Sequence, residues 1–466
     1  MKRFYQFSPI WIGFTIAIAH ILLFYPGMLS FDADTCQIPE AQNWIISDEH
    51  PPLMAVLIGL WFKIGFGIPG IFMVQDILFW LGTTLLVNQI LLFLLPEEEF
   101  WKSRFWICIS TVLCLALPLS PYTFSAAIIG KDIWMLIAIL WGIQFFLSTV
   151  TQESKTRKMN AILMGLCFAI AASLRHNSIV LIPIACISLT VVLWRQFKWR
   201  TALTIASLPV ITFLIIHTIL QFFITIKGRH TERFVYAADM ILFESMYGEN
   251  PEMHIVYLDS FLKENYRMHV KFGHVIPLLD QIADKSLVLD ASNFKEIKKN
   301  YTDLWKRYPL QLARIKIYSF ISILGIDWSF DVISGYYGRK FHDNKTNIED
   351  SYLKSASPLI HLFNQIGFRR IYRPIILGHY LWLSLSIATI ALIGSIWLKN
   401  RCTNRTLEVW IVLLSFPIVY SLSFLIACPQ ASYRYVMPSN LIIQIYFILF
   451  VVAYIIRTFT KARYQR

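Results

Sequence analysis

The sequence predicts an all-α polytopic membrane protein with a mixed, mainly helical external domain, on three observations. Hydrophobic residues make up 56% of the 466 residues and charged residues only 15%, with mean hydropathy +0.55. That leaves too little polar surface for a soluble chain of this length. Several apolar runs reach the ~20 residues that cross a bilayer core as a helix. The formal net charge of +13 concentrates in short connections on one side of those runs, as the positive-inside bias requires. No basic run with interleaved aromatics forms a nucleic-acid patch, so the charge belongs to topology and no nucleic-acid partner is expected.

The first span is expected at residues 8–25, entered from Lys2 and Arg3 and ended by Pro26-Gly27. No small-residue cleavage site follows it, so it reads as a retained helix rather than a cleaved signal. Residues 52–65 are apolar but short and are broken by Gly65, Gly67, Pro69 and Gly70, which fits an interfacial or re-entrant helix. Further spans are expected at 71–95, 105–119, 131–150, 161–174, 178–194 and 201–226, with 120–130 as a polar external turn. From 227 to 373 charge becomes frequent and apolar runs short, which marks the external domain. Its one ambiguous piece, 312–328, contains Arg314 and Lys316 and is expected to pack on the membrane surface. Spans at 374–398, 407–427 and 441–456 complete a count of about ten, with both ends cytoplasmic.

Three regions follow: an N-terminal transmembrane core over 1–226 with an external loop at 27–51, the external domain 227–373, and C-terminal transmembrane helices over 374–466. Short loops placed inside carry Lys or Arg, whereas external ones carry only Lys131, Arg175 and Arg434. The seven cysteines are scattered; Cys36 and Cys428 both fall outside and could pair, with two unrelated thiols as the plainer reading, and no spacing suggests zinc. No internal repeat of the kind that marks many transporters is visible.

The chemistry gathers in residues 25–53. This loop holds Asp32, Asp34, Glu40, Asp48, Glu49 and His50 and no Lys or Arg. In the expected topology it shares the outer face with Lys131-Asp132, Arg175-His176-Asn177 and Tyr433-Arg434-Tyr435. Ionisable residues at a membrane boundary are costly and tend to be functional or paired. Lys and Arg can hold phosphate oxygens, and a carboxylate can accept a proton from an attacking hydroxyl.

Tyr25-Pro26-Gly27, Ser30-Phe31-Asp32 with Asp34, and Asp48-Glu49-His50-Pro51-Pro52-Leu53 resemble the GT-C superfamily of membrane glycosyltransferases, which includes protein O-mannosyltransferases and lipid A aminoarabinose transferases. Gly130-Lys131-Asp132, Leu174-Arg175-His176-Asn177, the WKRYP segment from Trp305 to Pro309, and Arg434-Tyr435 with Pro438 extend the likeness along most of the chain. Each motif is short; their order carries the resemblance.

It implies an inverting enzyme of the bacterial cytoplasmic membrane that uses a polyprenyl-phosphate-linked sugar and a glycan, lipid or protein acceptor. It also implies Asp32 as the base, with Asp34 as rival. Some members use such a pair for a divalent cation, which leaves metal dependence open. Lys131, Arg175 and Arg434 would bind the lipid phosphate, and His50 would lie near acceptor or phosphate. Asp48, Glu49 and Asp132 complete the candidate substrate-binding set.

Plainer readings stand beside these. Asp32 and Asp34 could be a turn or helix cap, and Asp48 could cap the helix opened by Pro51-Pro52. Glu40 reads as a solvated side chain, Lys131-Asp132 could be an interfacial anchor, and Asp76, His176 and Asp239 read as packed or solvated. The alternative functions are a transporter or flippase for a lipid-linked or anionic solute, and an O-antigen polymerase or ligase.

Overall fold

A computed structural model describes residues 2–29, 32–48, 50–95, 100–116, 120–151, 154–194, 198–224, 226–227, 232–263, 287, 291–324, 379–399, 405–425 and 433–464. Nearly every apolar run of the sequence is a helix: α1 (Lys2–Phe24), α4 (Gly67–Leu94), α5 (Trp101–Ala116), α7 (Lys131–Thr151), α8 (Ser154–Leu174), α9 (Leu181–Trp194) and α10 (Trp199–Phe223). Between α1 and α4 lie the short α2 (Ile38–Asn43) and the expected twelve-residue α3 (Pro52–Lys63). After α10 come α11 (Glu232–Tyr247), α12 (Phe294–Arg307) and α13 (Pro309–Leu324). The last described helices are α14 (His379–Lys399), α15 (Arg405–Ser423) and α16 (Tyr433–Tyr464). Among the described residues, six helices are long and apolar enough to cross a membrane: Gly67–Leu94, Lys131–Thr151, Thr156–Leu174, Trp199–Phe222, His379–Ile396 and Val436–Thr460. The protein is a helical membrane protein.

One large apolar core runs through α1, α4, α5, α7, α8, α9, α15 and α16. Small residues let its helices close on one another. A Cβ on Gly82 would lie 2.8 Å from the Trp141 indole, and one on Gly142 would lie 3.0 Å from the Phe168 ring. Phe168 in turn stacks on Phe416 at 4.8 Å between centroids, which ties α15 to α8.

A second, smaller core joins α11, α12 and α13 through Met240, Phe243, Ile297, Leu304, Leu312 and Ile315. The described part of 312–328, the stretch expected on the membrane surface, lies in α13. Leu312 and Ile315 fill the smaller core while Ile323 enters the large one, so one face of α13 joins the two cores while Leu310, Arg314 and Ile317 stay exposed. Lys316 is accommodated because it ion-pairs with buried Asp239. Residues 325–328 lie outside the described set.

The expected turn at 120–130 is also more ordered than a turn. Ser120 caps α6 (Pro121–Ala127) by accepting a hydrogen bond from the Tyr122 amide at 3.3 Å. Tyr122 and Thr123 then face inward, 2% and 1% exposed.

Candidate functional site

Two very short parallel strand pairs position the acidic loop. Strand β1 (Met28–Leu29) pairs with β3 (Ile128–Ile129), in the register Met28 to Ile128 and Leu29 to Ile129. Strand β2 (Ile46–Ser47) pairs with β4 (Ile226–Lys227). The first pairing sets the chemistry. Asp32 follows β1 by three residues and Lys131 follows β3 by two, so parallel chains deliver both to the same place. Gly27 makes the approach possible: its φ is +96°, and a Cβ there would lie 2.7 Å from the Phe72 ring.

The β3 side is fastened from within the bundle. Gln75 on α4 donates to the carbonyls of Ala126 and Ile128, both at 2.9 Å. His20 on α1 is hydrogen-bonded through Nε2 to the Thr123 carbonyl at 2.9 Å, while its Nδ1 lies 2.8 Å from Asp76. Both members of that pair are buried. Asp76 is therefore packed and partnered, as its position in an apolar run suggested.

At the loop's centre Lys131 Nζ lies 2.9 Å from Asp32 Oδ2 and 2.6 Å from His50 Nδ1. His50 Nε2 is 4.0 Å from Asp32 Oδ1. An ammonium has only donors to offer, so Nδ1 of His50 accepts and its proton resides on Nε2, on the Asp32 side. Asp32 and Lys131 are both buried and His50 is half-buried. Asp32 precedes a short π-helical turn, Ala33–Gln37, without capping it through its side chain, so the capping explanation of Asp32 does not hold. π-Turns of this kind recur at functional sites.

The next residue, Asp132, ion-pairs with buried Arg175. Asp132 occupies the first turn of α7, where a carboxylate favours the positive end of the helix. Ser178, one turn beyond Arg175, donates to Met135 Sδ at 2.7 Å. Residues 175–178 are thus docked on α7 at two points, and His176 lies between them.

Its neighbours bring His176 into the same cluster. Desolvation holds the imidazole below the usual histidine value, and the Lys131 ammonium adds to that, while a bond to the Asp48 backbone and the Asp48 charge oppose it. His176 keeps an exposed edge. His176 was not among the expected site residues. Its adjacency to Arg175 was the available signal.

Other expectations resolve differently. Asp48 does not cap α3, whose N-cap is Pro51 with no side-chain bond; Asp48 faces His176 instead. Glu40 is not merely solvated: its carboxylate accepts from both the backbone N–H, at 3.3 Å, and the hydroxyl of Ser47. Trp305 and Tyr308 of the WKRYP segment belong to the smaller core and its surface. Asp34 and Arg434 are placed only as backbone, in the π-turn and in the first turn of α16; their side chains lie outside the described set, as do Glu49 and Cys428. Cys36 forms no disulfide among the described residues.

Beside the cluster, α3 leaves Leu60 exposed, as are Ile64 and Phe66 just after it, and Lys63 sits over the Trp44 ring at 4.1 Å. This mixture of apolar surface and an aromatic–cation pair suits a bilayer boundary. Among the described residues no group of three or more His, Cys, Asp and Glu could hold a metal ion. The described cations and carboxylates are matched in pairs, Lys131 with Asp32 and Arg175 with Asp132. Such a site can accept a proton at a carboxylate, and it can take up an anion if a cation exchanges partners.

No family model, no curated protein and no solved structure matches the chain.

Proposed function

We propose that the protein is an inverting membrane glycosyltransferase. It moves a sugar from a polyprenyl-phosphate donor to a glycan, lipid or protein acceptor on the outer face of the cytoplasmic membrane, in a topology of about ten spans with both termini cytoplasmic. The supporting observation is the Asp32, Lys131 and His50 cluster, assembled from distant segments beside the apolar surface at α3.

In this reading Asp32 accepts the proton of an acceptor hydroxyl. The hydroxyl oxygen attacks the anomeric carbon from the face opposite the phosphate. The bond from that carbon to the phosphate oxygen breaks, its electron pair leaves with polyprenyl phosphate, and the sugar configuration inverts. Lys131 has two tasks. Before donor binding it neutralises Asp32; when the phosphate arrives, it turns to the new anion and leaves the carboxylate basic. Arg175, held by Asp132, adds positive potential, and His50 keeps Lys131 aimed.

Purified protein in lipid nanodiscs, given labelled polyprenyl-phosphate sugar and an acceptor, tests this. Asp32→Asn is expected to lose about 10²–10⁴-fold in transfer, the usual contribution of a general base. Transfer at the parental rate would sink the assignment.

A carrier reading draws on the buried His20–Asp76 pair, since ionisable groups between membrane helices often line a solute path. Solute uptake into vesicles without sugar transfer would favour it.

A further inference from the structure

The smaller core carries a surface that the proposed reaction does not use. On α12, Ile297 and Leu304 point into the core, while Lys295, Lys299 and Lys306 lie on the opposite side at i, i+4 and i+11, all exposed. Lys298 is exposed beside them, and Trp305 lies seven residues along the same edge. Trp305 ends an aromatic row. Its ring meets Tyr301 edge-on at 6.4 Å, and Tyr301 stacks on Tyr236 of α11 at 4.5 Å with planes 20° apart.

The row is held rigidly from below. Tyr301 donates through its hydroxyl to Asp239 Oδ2 at 2.8 Å, and Asp239 is paired with Lys316 of α13. Among the described residues the acidic neighbours are Glu296 and Asp303 to one side of the lysine row, with Asp303 3.9 Å from Lys306, and Glu232 four residues before Tyr236.

We propose that this face of α12 binds an anionic sugar chain, and that the acceptor of the transferase is an acidic glycan. Flat aromatic rings stack on the C–H faces of pyranose rings, while a row of ammonium groups attracts the carboxylates or phosphates such a chain carries. A lipid headgroup surface supplies anions without ring faces, so the aromatic row favours the sugar chain. The acceptor assignment rests on the transferase reading; the binding does not.

The test uses full-length protein in nanodiscs of zwitterionic lipid, with fluorescent oligogalacturonate as the probe. Binding is expected, weakening as salt rises, with neutral malto-oligosaccharide and polyglutamate each at least tenfold weaker. Trp305→Ala should weaken oligogalacturonate about tenfold, the scale of one lost stacking contact, and Trp305→Phe should restore most of it. Lys295→Gln with Lys299→Gln should weaken it similarly.

Equal binding of polyglutamate would reduce the face to a bare charge patch and overturn the proposal. So would unchanged binding by Trp305→Ala, or displacement of the probe by vesicles of anionic lipid. Asp32→Asn should bind the probe normally. If the parent protein binds the probe but transfers no sugar to any acceptor, the transferase reading fails while the binding stands. If Trp305→Ala loses binding yet transfers to every acceptor as before, the acceptor assignment fails.

Discussion

Lys131 is buried between two partners, the Asp32 carboxylate and the His50 imidazole. Truncating a buried cation leaves its carboxylate uncompensated, which typically costs about 3–5 kcal/mol. Lys131→Met should therefore lower thermal stability, and the double variant Lys131→Met with Asp32→Asn should recover part of it. Stabilities that simply add would mean the two side chains do not act as a pair.

His176 makes a separate prediction. Its folded value lies below the ordinary 6.5, chiefly through desolvation, so the unfolded chain binds the proton more readily. Its contribution to stability is present above about pH 6.5 and is lost as pH falls through that value toward the folded one. Melting temperature followed from pH 8 to pH 5 should fall less steeply for His176→Gln than for the parent; parallel curves would count against the placement of His176.

Helices and strands transmit these side-chain positions. Gly27→Ala sets a side chain at positive φ against Phe72 and is expected to cost about 1–3 kcal/mol. Because Gly27 immediately precedes β1, the same change should lower transfer activity beyond its effect on folding, measured as rate per folded molecule.

In the smaller core, His254 bridges Glu244, at 2.9 Å, and Asp259, at 3.0 Å. Hydrogen bonds to Glu244 and then Asp259 raise its value above 6.5. This clasp is complete below about pH 6.5 and loosens as pH rises through the raised value. Protection of the Ile255 amide, which donates to Glu244 at 2.8 Å, measured against its intrinsic base-catalysed exchange rate, should fall over that range, and His254→Gln should abolish that fall.

At this scale the sequence announced the helices well, because apolar runs bounded by Pro, Gly and charge leave few alternatives. It also drew Asp32, His50 and Lys131 to one face. It did not announce β1 with β3 or β2 with β4, since strands of two residues carry no periodicity. Nor did it show that Lys131 faces Asp32 itself, or that Gln75 and His20 brace the 120–130 segment, because a polar residue in an apolar run names no partner.

Across the whole molecule the proposed topology places Lys263 outside and Lys158 inside. Both are exposed in the structure. In a cysteine-free background, Lys263→Cys should react with a membrane-impermeant thiol reagent on intact cells and Lys158→Cys only after permeabilisation; the reverse pattern would overturn the orientation. The two strand pairs carry a further consequence, for the time course of biosynthesis. The acidic loop is among the first segments made, but β3 and Lys131 emerge only after α4, α5 and α6, and β4 only after α10. Until then the loop has neither its counter-charge nor its second anchor. A chain halted before β4 would hold Asp32 beside Lys131 with the β2 ladder still to form. Competence thus arrives in two instalments, the charge pair first and the brace that carries His50 toward it later.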